Sequence, residues 1–227
     1  MSLILNIETS SSICSVCISR NGRVIAVKED HSGTNHASML TVFIRRLCDE
    51  NHLSVADLDA VAVSAGPGSY TGLRIGVATS KGICFSIGKP LLAIDSLQAF
   101  AEGMRLRNDS DGLLYCSTID ARRNEIYYSL IESKDNVLMP SNNIELSSTI
   151  PFIIPENRKI LIGGNGALKS MSFWNHSSIK IDNTTIHSSK WMARLAEIKF
   201  LSSQFEDINA FEPSYIKPVF FAQKNGG

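Results

Sequence analysis

The chain has 227 residues, enough for one large or two small domains that need no disulfide or metal staple. Its 22 basic and 22 acidic residues cancel, which excludes the broad basic excess of a protein that holds nucleic acid by itself, though not a small local patch. No basic leader precedes an apolar stretch and no apolar run approaches the ~20 residues of a membrane span, so the expectation is a cytoplasmic protein with no membrane partner.

Leu3 to Ile7 reads as a strand, Glu8 to Ser12 as a small polar turn and Cys14 to Ser19 as a second strand. Asn21-Gly22 is a hairpin signal, because both residues tolerate positive φ, and Arg23 to Lys28 returns as a third strand. In the first turn the hydroxyls and amides of Thr9 and Ser10 are placed to meet a phosphate, while a plain hydroxyl-rich hairpin turn fits equally well. Cys14 and Cys17 form a C-x-x-C, but strand geometry sends positions three apart to opposite faces. With Cys48, Cys84 and Cys116 they read as small core residues of a reducing compartment, without zinc or redox use.

From Asn35 as the cap, His36 to Glu50 is helical. Met39, Leu40, Val42, Phe43, Ile44, Leu47 and Cys48 cover roughly 240° of arc, well beyond the ~100° stripe that one core contact requires. Such a helix has two neighbours, its own sheet and either a second helix or another protein. It is therefore a candidate interface, with a merely well-buried helix as the alternative.

Ser54 to Leu58 is a short capped turn, and Ala60 to Val63 is a strand buried on both faces. That strand runs into Ser64-Ala65-Gly66-Pro67-Gly68-Ser69-Tyr70-Thr71-Gly72-Leu73-Arg74-Ile75-Gly76, which opens a helix from Leu73 to Ile87 capped by Ser69 or Thr71. A strand, a glycine-rich turn and a helix N-terminus point free backbone N–H groups at one spot, where the dipole favours an anion. Gly66, Gly68 and Ser69 thus outline a phosphate cradle, although neither the Walker spacing nor the dinucleotide fingerprint is met. The alternative is packing: Gly72, Gly76, Thr79, Ser80, Ile83 and Ile87 share one small helical face that lets another backbone approach. Both readings stay open at this stage.

Lys89-Pro90 punctuates, Leu91 to Ile94 is a strand, and Asp95 or Ser96 caps a helix through about Arg105. The order β-β-β-α-β-α-β-α makes residues 1–108 one compact α/β lobe, and the polar stretch Arg105 to Gly112 is the boundary to a second, more divergent lobe over 109–217. Leu113 to Ile119 and Glu125 to Ile131 are strands joined by a polar turn, in which Asp120 either orients a ligand or begins the turn. Residues 133–158, with Pro140, Pro151 and Pro155, read as loop or short edge elements. Lys159 to Ile162 is a strand ending in a second glycine loop, Gly163-Gly164-Asn165-Gly166. Ser188 or Ser189 caps a helix from Trp191 to Leu201 with Trp191, Met192, Leu195 and Ile198 on its apolar side, and 218–227 form a flexible tail. His31, His36, His52, His176 and His187 have no metal-ligand spacing and read as surface residues.

Leu5-Asn6-Ile7-Glu8-Thr9-Ser10 with Cys14-Ser15-Val16, the long motif Ala65 to Gly76 with Ala78 and Lys81-Gly82, and Asp120-Ala121-Arg122-Arg123 with Glu125 and Tyr127 resemble the TsaB (YeaZ) family. The matches run across the first 130 residues; beyond them only Gly163, Asn165, Gly166 and the Pro213 to Tyr215 stretch are familiar. The resemblance implies an actin-like, sugar-kinase-like (ASKHA, ribonuclease H-like) fold of two similar lobes. It implies a non-catalytic scaffold and activator in forming threonylcarbamoyladenosine beside the anticodon, at position 37, of tRNAs that read codons starting with A. The implied partners are TsaD, the paralogue that transfers the threonylcarbamoyl group, and the ATPase TsaE, with a homodimer when the chain is alone and tRNA reached through the complex. The implied interface is the pair of helices beginning at His36 and Leu73, with Met39, Leu40, Phe43, Leu47, Gly72, Gly76, Ser80 and Ile83.

The catalytic relative carries a His-x-x-x-His metal pair where this chain has Ser96 and Phe100, so no metal and no transfer chemistry are expected here. The resemblance implies no cofactor of the chain's own, with ATP or ADP at most at a site shared with TsaD, facing Thr9, Ser10, Gly66, Gly68, Ser69 and Asp120. The competing reading is a free-standing ATP-dependent phosphotransferase of the same fold, against which Glu8 stands where this fold usually has aspartate and no clear catalytic base follows. A peptidase would need a metal pair or an activated nucleophile, and the sequence offers neither constellation.

Overall fold

The computed structural model describes residues 1–217 apart from 34, 109, 111, 134, 135 and 157; the tail expected at 218–227 lies outside the described residues. Strands β1 (Leu3–Glu8), β2 (Cys14–Arg20) and β3 (Arg23–Asp30) form an antiparallel meander, turned at Asn21 and Gly22, which adopt φ of 50° and 73° as the hairpin signal requires. Helix α1 (His36–Glu50) leads through a 3-10 turn, Val55–Asp57, whose Ser54 and Asp57 make a reciprocal capping box. Strand β4 (Ala60–Gly66) then pairs parallel to β1, helix α2 (Tyr70–Ile87) follows, and β5 (Leu91–Asp95) pairs parallel to β4. Ser69 is the cap of α2, its Oγ accepting Gly72 N at 3.2 Å, and Gly88 ends the helix in the left-handed region.

The five-stranded order β3-β2-β1-β4-β5 is repeated by the second sheet, β8-β7-β6-β9-β10, built from β6 (Leu113–Asp120), β7 (Glu125–Ser133), β8 (Asn136–Glu145), β9 (Lys159–Gly163) and β10 (Ile179–Asp182). Each sheet is an antiparallel meander followed by two parallel strands, so the molecule is one plan used twice. Strand β8 realises the edge-element alternative over 133–158, though its 10 residues exceed the short element expected. Pro140 is tolerated because β8 is an edge strand, and the register with β7 shifts next to it, between Tyr128 and Leu130.

Helix α3 (Ser96–Arg107) lies between the sheets. Its Ala99 packs with Ile4, Ala62 and Ile94 of the first, while Phe100, Ala101 and Met104 pack with Tyr115 and Ile131 of the second. The other face of the first sheet carries Leu5, Ile7 and Val16 against Leu40, Phe43 and Leu47 of α1 and Val77 of α2. The second core gathers Leu114, Ile126, Tyr128 and Ile160, with Ala167 of the short helix α4 (Ala167–Met171), around Trp174 and Phe152.

Residues 189–217 do not belong with the second lobe, which corrects the expected division. A 3-10 turn, Ser189–Met192, capped by Ser188, and helix α5 (Ala193–Leu201) place Met192 and Ala196 on the first sheet. The buried side of α5 is made by small alanines, so Ile198, expected inside, is 43% exposed. Buried Glu102 of α3 binds Arg194 at 2.7 Å and Arg105 at 2.9 Å, tying the last helix to the middle one. The chain then runs back over α2: Glu206 N donates to Leu91 O, Lys81 Nζ to the carbonyls of Asn209 and Phe211, and Ser214 N to Ala65 O. All five cysteines are buried and free, as expected of core residues. No helix among the described residues is long and apolar enough to cross a membrane.

His187 is a further correction to the expected surface histidines. It is buried, stacked on Phe100 at 4.5 Å between centroids, and its Nε2 has no hydrogen-bond partner among the described residues. Burial pushes its imidazole down from 6.5 to about 4. The unfolded chain therefore takes up this proton first as pH falls. The stability tied to neutral His187 is complete above pH 6.5 and is lost toward pH 4 by at most about 1.4 kcal/mol per pH unit. Urea titrations of wild type and His187→Phe between pH 4 and 7 check this: the variant loses that slope, and equal slopes would place the proton uptake elsewhere.

Steric packing gives a second expectation. A Cβ on Gly72 falls inside contact distance of Thr9 O, whereas one on Gly82 meets open space. Gly72→Ala lowers the melting temperature by many degrees, and Gly82→Ala stabilises by about 0.5–1 kcal/mol through helix propensity.

Candidate functional site

The repeated plan brings four turns to one place. In each lobe the tip of the first hairpin meets the glycine loop that follows the fourth strand, and the two pairs face each other across a cleft of ≈ 710 Å³. One wall is Ser10 to Ser12 with Gly68 to Thr71; the other is Ile119 to Arg123 with Glu125, Tyr127 and Asn165. Tyr215 and Lys217 of the returning chain stand at its mouth.

On the first wall, close packing is complete. Ser69 N donates to Ser10 O at 2.7 Å, and Thr9 N donates to Ser64 Oγ at 3.1 Å. A Cβ on Gly68 would stand 2.6 Å from Ser10 Cβ, and Cβ atoms on Gly72 and Gly76 would run into Thr9 O and Thr9 Oγ1. These glycines are what let α2 lie against the β1–β2 turn, so the packing reading accounts for them. Glu8 closes the turn from beneath, its Oε1 accepting Ser10 N at 2.5 Å; burial pushes its carboxyl pKa up, against the pull of its bonds to Ser10.

On the second wall, Asp120 Oδ1 accepts Lys169 Nζ at 2.8 Å and Arg122 N at 2.9 Å, while Asp120 N donates to Asn165 Oδ1. Desolvation opposes but does not cancel these contacts, and the Asp120 carboxyl is held below its usual range. Glu125 is bound by Lys217 and by Asn143 Nδ2 at 2.7 Å. Arg122 and Arg123 both take positive φ, 64° and 48°, to turn the tip of the hairpin into the cleft.

Of the residues expected to face a phosphate, Ser10, Gly68, Ser69 and Asp120 line the cleft. Thr9 and Gly66 do not: Thr9 is fully buried behind the turn, and Gly66 is covered by Ser214. Tyr215 and Lys217 had no signal as site residues, because their place depends on the return of the chain across α2, where Tyr215 meets Tyr70 with ring centroids 5.1 Å apart. Arg74 joins them, its guanidinium 4.1 Å from the Tyr70 ring centroid and its Nε donating to Tyr215 Oη.

The expected interface residues also divide. Leu40, Phe43 and Leu47 are interior residues of the first core, and Gly72, Gly76 and Ser80 are buried on the sheet side of α2. Met39 and Ile83 are half-buried and reach the surface. Ile83 lines a groove of ≈ 520 Å³ between the helices with Thr41, Ile44, Arg45 and Thr79, and Val42 and Phe85 stand exposed on the same two helices. The wide arc of α1 is thus spent mainly inside its own lobe.

A family model described as "TsaD: tRNA N6-adenosine threonylcarbamoyltransferase" matches residues 28–165. The tRNA threonylcarbamoyladenosine biosynthesis protein TsaB of Bacillus subtilis (strain 168) is 28% identical over 222 residues, covering 94% of this chain and 93% of its own length. The solved structure of YeaZ from Pseudomonas aeruginosa superposes with a TM-score of 0.82 at 21% identity, over 95% of this chain and 100% of that one. The activator of 2-hydroxyisocaproyl-CoA dehydratase from Clostridium difficile, solved with bound ADPNP, gives a TM-score of 0.51 at 11% identity, over 89% and 97%. Two mixed sheets on one plan with a cleft between them define an actin-like, sugar-kinase-like fold. The chain belongs to the TsaD family of the matched model and, within it, to the TsaB (YeaZ) family.

Proposed function

We propose that the chain is a non-catalytic subunit in the formation of threonylcarbamoyladenosine at position 37 of tRNAs that read codons starting with A, acting in a complex with TsaD and TsaE. The observation that carries this reading is the state of the two positions that resemble the metal pair of the catalytic relative. Ser96 Oγ accepts Gly66 N at 3.2 Å and Phe100 is buried against His187, so both side chains hold the fold. Phenylalanine has no ligand atom, and a serine engaged with the glycine loop is a poor substitute for imidazole.

The face offered to TsaD, or to a second copy when the chain is alone, is the outer side of α1 and α2. Half-buried Met39 and exposed Val42 on α1 with Ile83 at the groove, and exposed Phe85 further round α2, give an apolar outer side that suits a partner helix laid along it. This reading moves the contact outward from Leu40, Phe43 and Leu47, which the core already uses. Any ATP or ADP belongs at an edge shared with TsaD, and tRNA is engaged by the assembly.

Threonylcarbamoyl transfer to tRNA by TsaC, TsaD and TsaE, with and without this chain, tests the role. Activity that depends on the chain, with no ATP turnover by the chain alone, is the expected result; indifference of the mixture together with turnover by the lone chain favours the phosphotransferase. Val42→Asp folds normally but weakens TsaD binding by about tenfold or more. Phe43→Asp instead unfolds the lobe, because it buries an unpaired charge. Wild-type TsaD affinity in Val42→Asp, measured by calorimetry, refutes the interface.

A further inference from the structure

The β2–β3 hairpin tip lies at the end of the first sheet opposite the β1–β2 turn, and there it meets the end of α3 and the 3-10 turn Ser189–Met192. Formal charge is zero over the whole chain, yet this corner is cationic. Arg20 and Arg23 stand exposed on either side of Asn21-Gly22, and neither makes an ion pair or side-chain hydrogen bond among the described residues. Lys190 has no ion pair among them either, and its Nζ is 4.5 Å from the centroid of the Trp191 ring. The carboxylates beside these cations are already engaged. Glu102 is held by Arg105 and Arg194, and Glu197, which packs on Gly22, accepts Ser2 Oγ.

Between the cations the surface is apolar. Val24, Ile25 and Leu106 are 42%, 43% and 54% exposed, and β3 is the edge of its sheet. Val24 and Leu106 line a hollow of ≈ 210 Å³ with Trp191 and Ala193, and Val24 also borders a second, of ≈ 490 Å³, with Ile25, Arg20 and Arg23. Trp191 is fixed in place: a Cβ on Gly103 would stand 2.7 Å from its Nε1, which donates to Ile186 O at 2.8 Å. Exposed aliphatic residues ringed by charge mark an interaction site, and the combination selects the occupant. RNA phosphates would use the cations but leave the aliphatic floor in water, and the ring on which a base could stack is already taken by Gly103 and Lys190. A protein segment with carboxylates around an aliphatic anchor uses both.

We propose that this corner is a docking site for an acidic protein segment, whose aliphatic side chain enters the hollow between Val24, Leu106 and Trp191 while its carboxylates pair with Arg20, Arg23 and Lys190. The 3-10 turn and α3 pack on the face of the first sheet opposite α1 and α2, so the site does not compete with the outer helix face. It needs neither TsaD nor the scaffold role, and it is tested on the chain alone.

Fluorescence anisotropy is measured with labelled probes: the peptide Asp-Glu-Asp-Leu-Leu-Glu-Asp-Glu, its counterpart with serine for both leucines, and a single-stranded oligoribonucleotide. The leucine peptide binds, and the serine peptide and the oligoribonucleotide bind more weakly by about tenfold or more. Arg20→Ser with Arg23→Ser, and separately Leu106→Ser, each weaken the leucine peptide by about tenfold. All three positions are exposed, and unchanged melting temperatures certify the fold of the variants. Equal binding of the two peptides reduces the corner to unspecific charge, and RNA bound as tightly as the leucine peptide makes it a nucleic-acid surface. Either result overturns the proposal, as does a leucine peptide that fails to bind or whose binding the variants leave untouched.

Discussion

The contact between the β1–β2 turn and the glycine side of α2 sets the rest of the molecule. Thr9 and Ser10 press on Gly68, Gly72 and Gly76 so closely that no side chain fits between them, and interiors this dense transmit a displacement rather than absorb it. The contact fixes the roll of α2 about its axis. That roll decides which residues of α2 face α1, which face solvent, and where the helix N-terminus points. The outer helix face and the cleft are therefore two results of one packing event.

The electrostatics of the second wall show how a chain of zero formal charge carries a directed field. Lys169 and Lys217 pair with the two acids at the cleft, and Arg122 and Arg123 at the hairpin tip add two further positive charges beside those acids. In a concave site with low-dielectric walls such a residue of charge is felt strongly by an incoming anion, whereas the whole-chain count averages it away.

Much of the first lobe was legible because its signals are local. The Asn21-Gly22 turn, the capped turn from Ser54 and the cap at Ser69 or Thr71, which falls at Ser69, each act within a few residues, and the structure bears out all three. Nonlocal terms governed what was missed. The prolines of 133–158 allow edge elements but hide the length of β8, and His187 looks like a surface residue until α3 supplies Phe100 as its cover. The wide arc of α1 revealed two burying neighbours but not that both lie within the lobe. Ser10, Gly68, Ser69 and Asp120 were readable as part of the cleft; Tyr215 and Lys217 were not, because they come from the returning chain, far in sequence from the Tyr70 and Glu125 they meet.

The return of residues 189–217 to the first lobe has a consequence for synthesis. The first sheet is translated before the second lobe, yet Met192 and Ala196 on one of its faces, and Ile208 and Phe211 on its other core, follow that lobe in the chain. While the ribosome is still working, Ile4, Ala62 and Leu92 lack part of their cover, and the contacts that complete them span most of the chain. The lobe named first in the sequence is thus the last to be sealed, and a nascent chain stalled before α5 exposes an apolar strip that the finished protein hides.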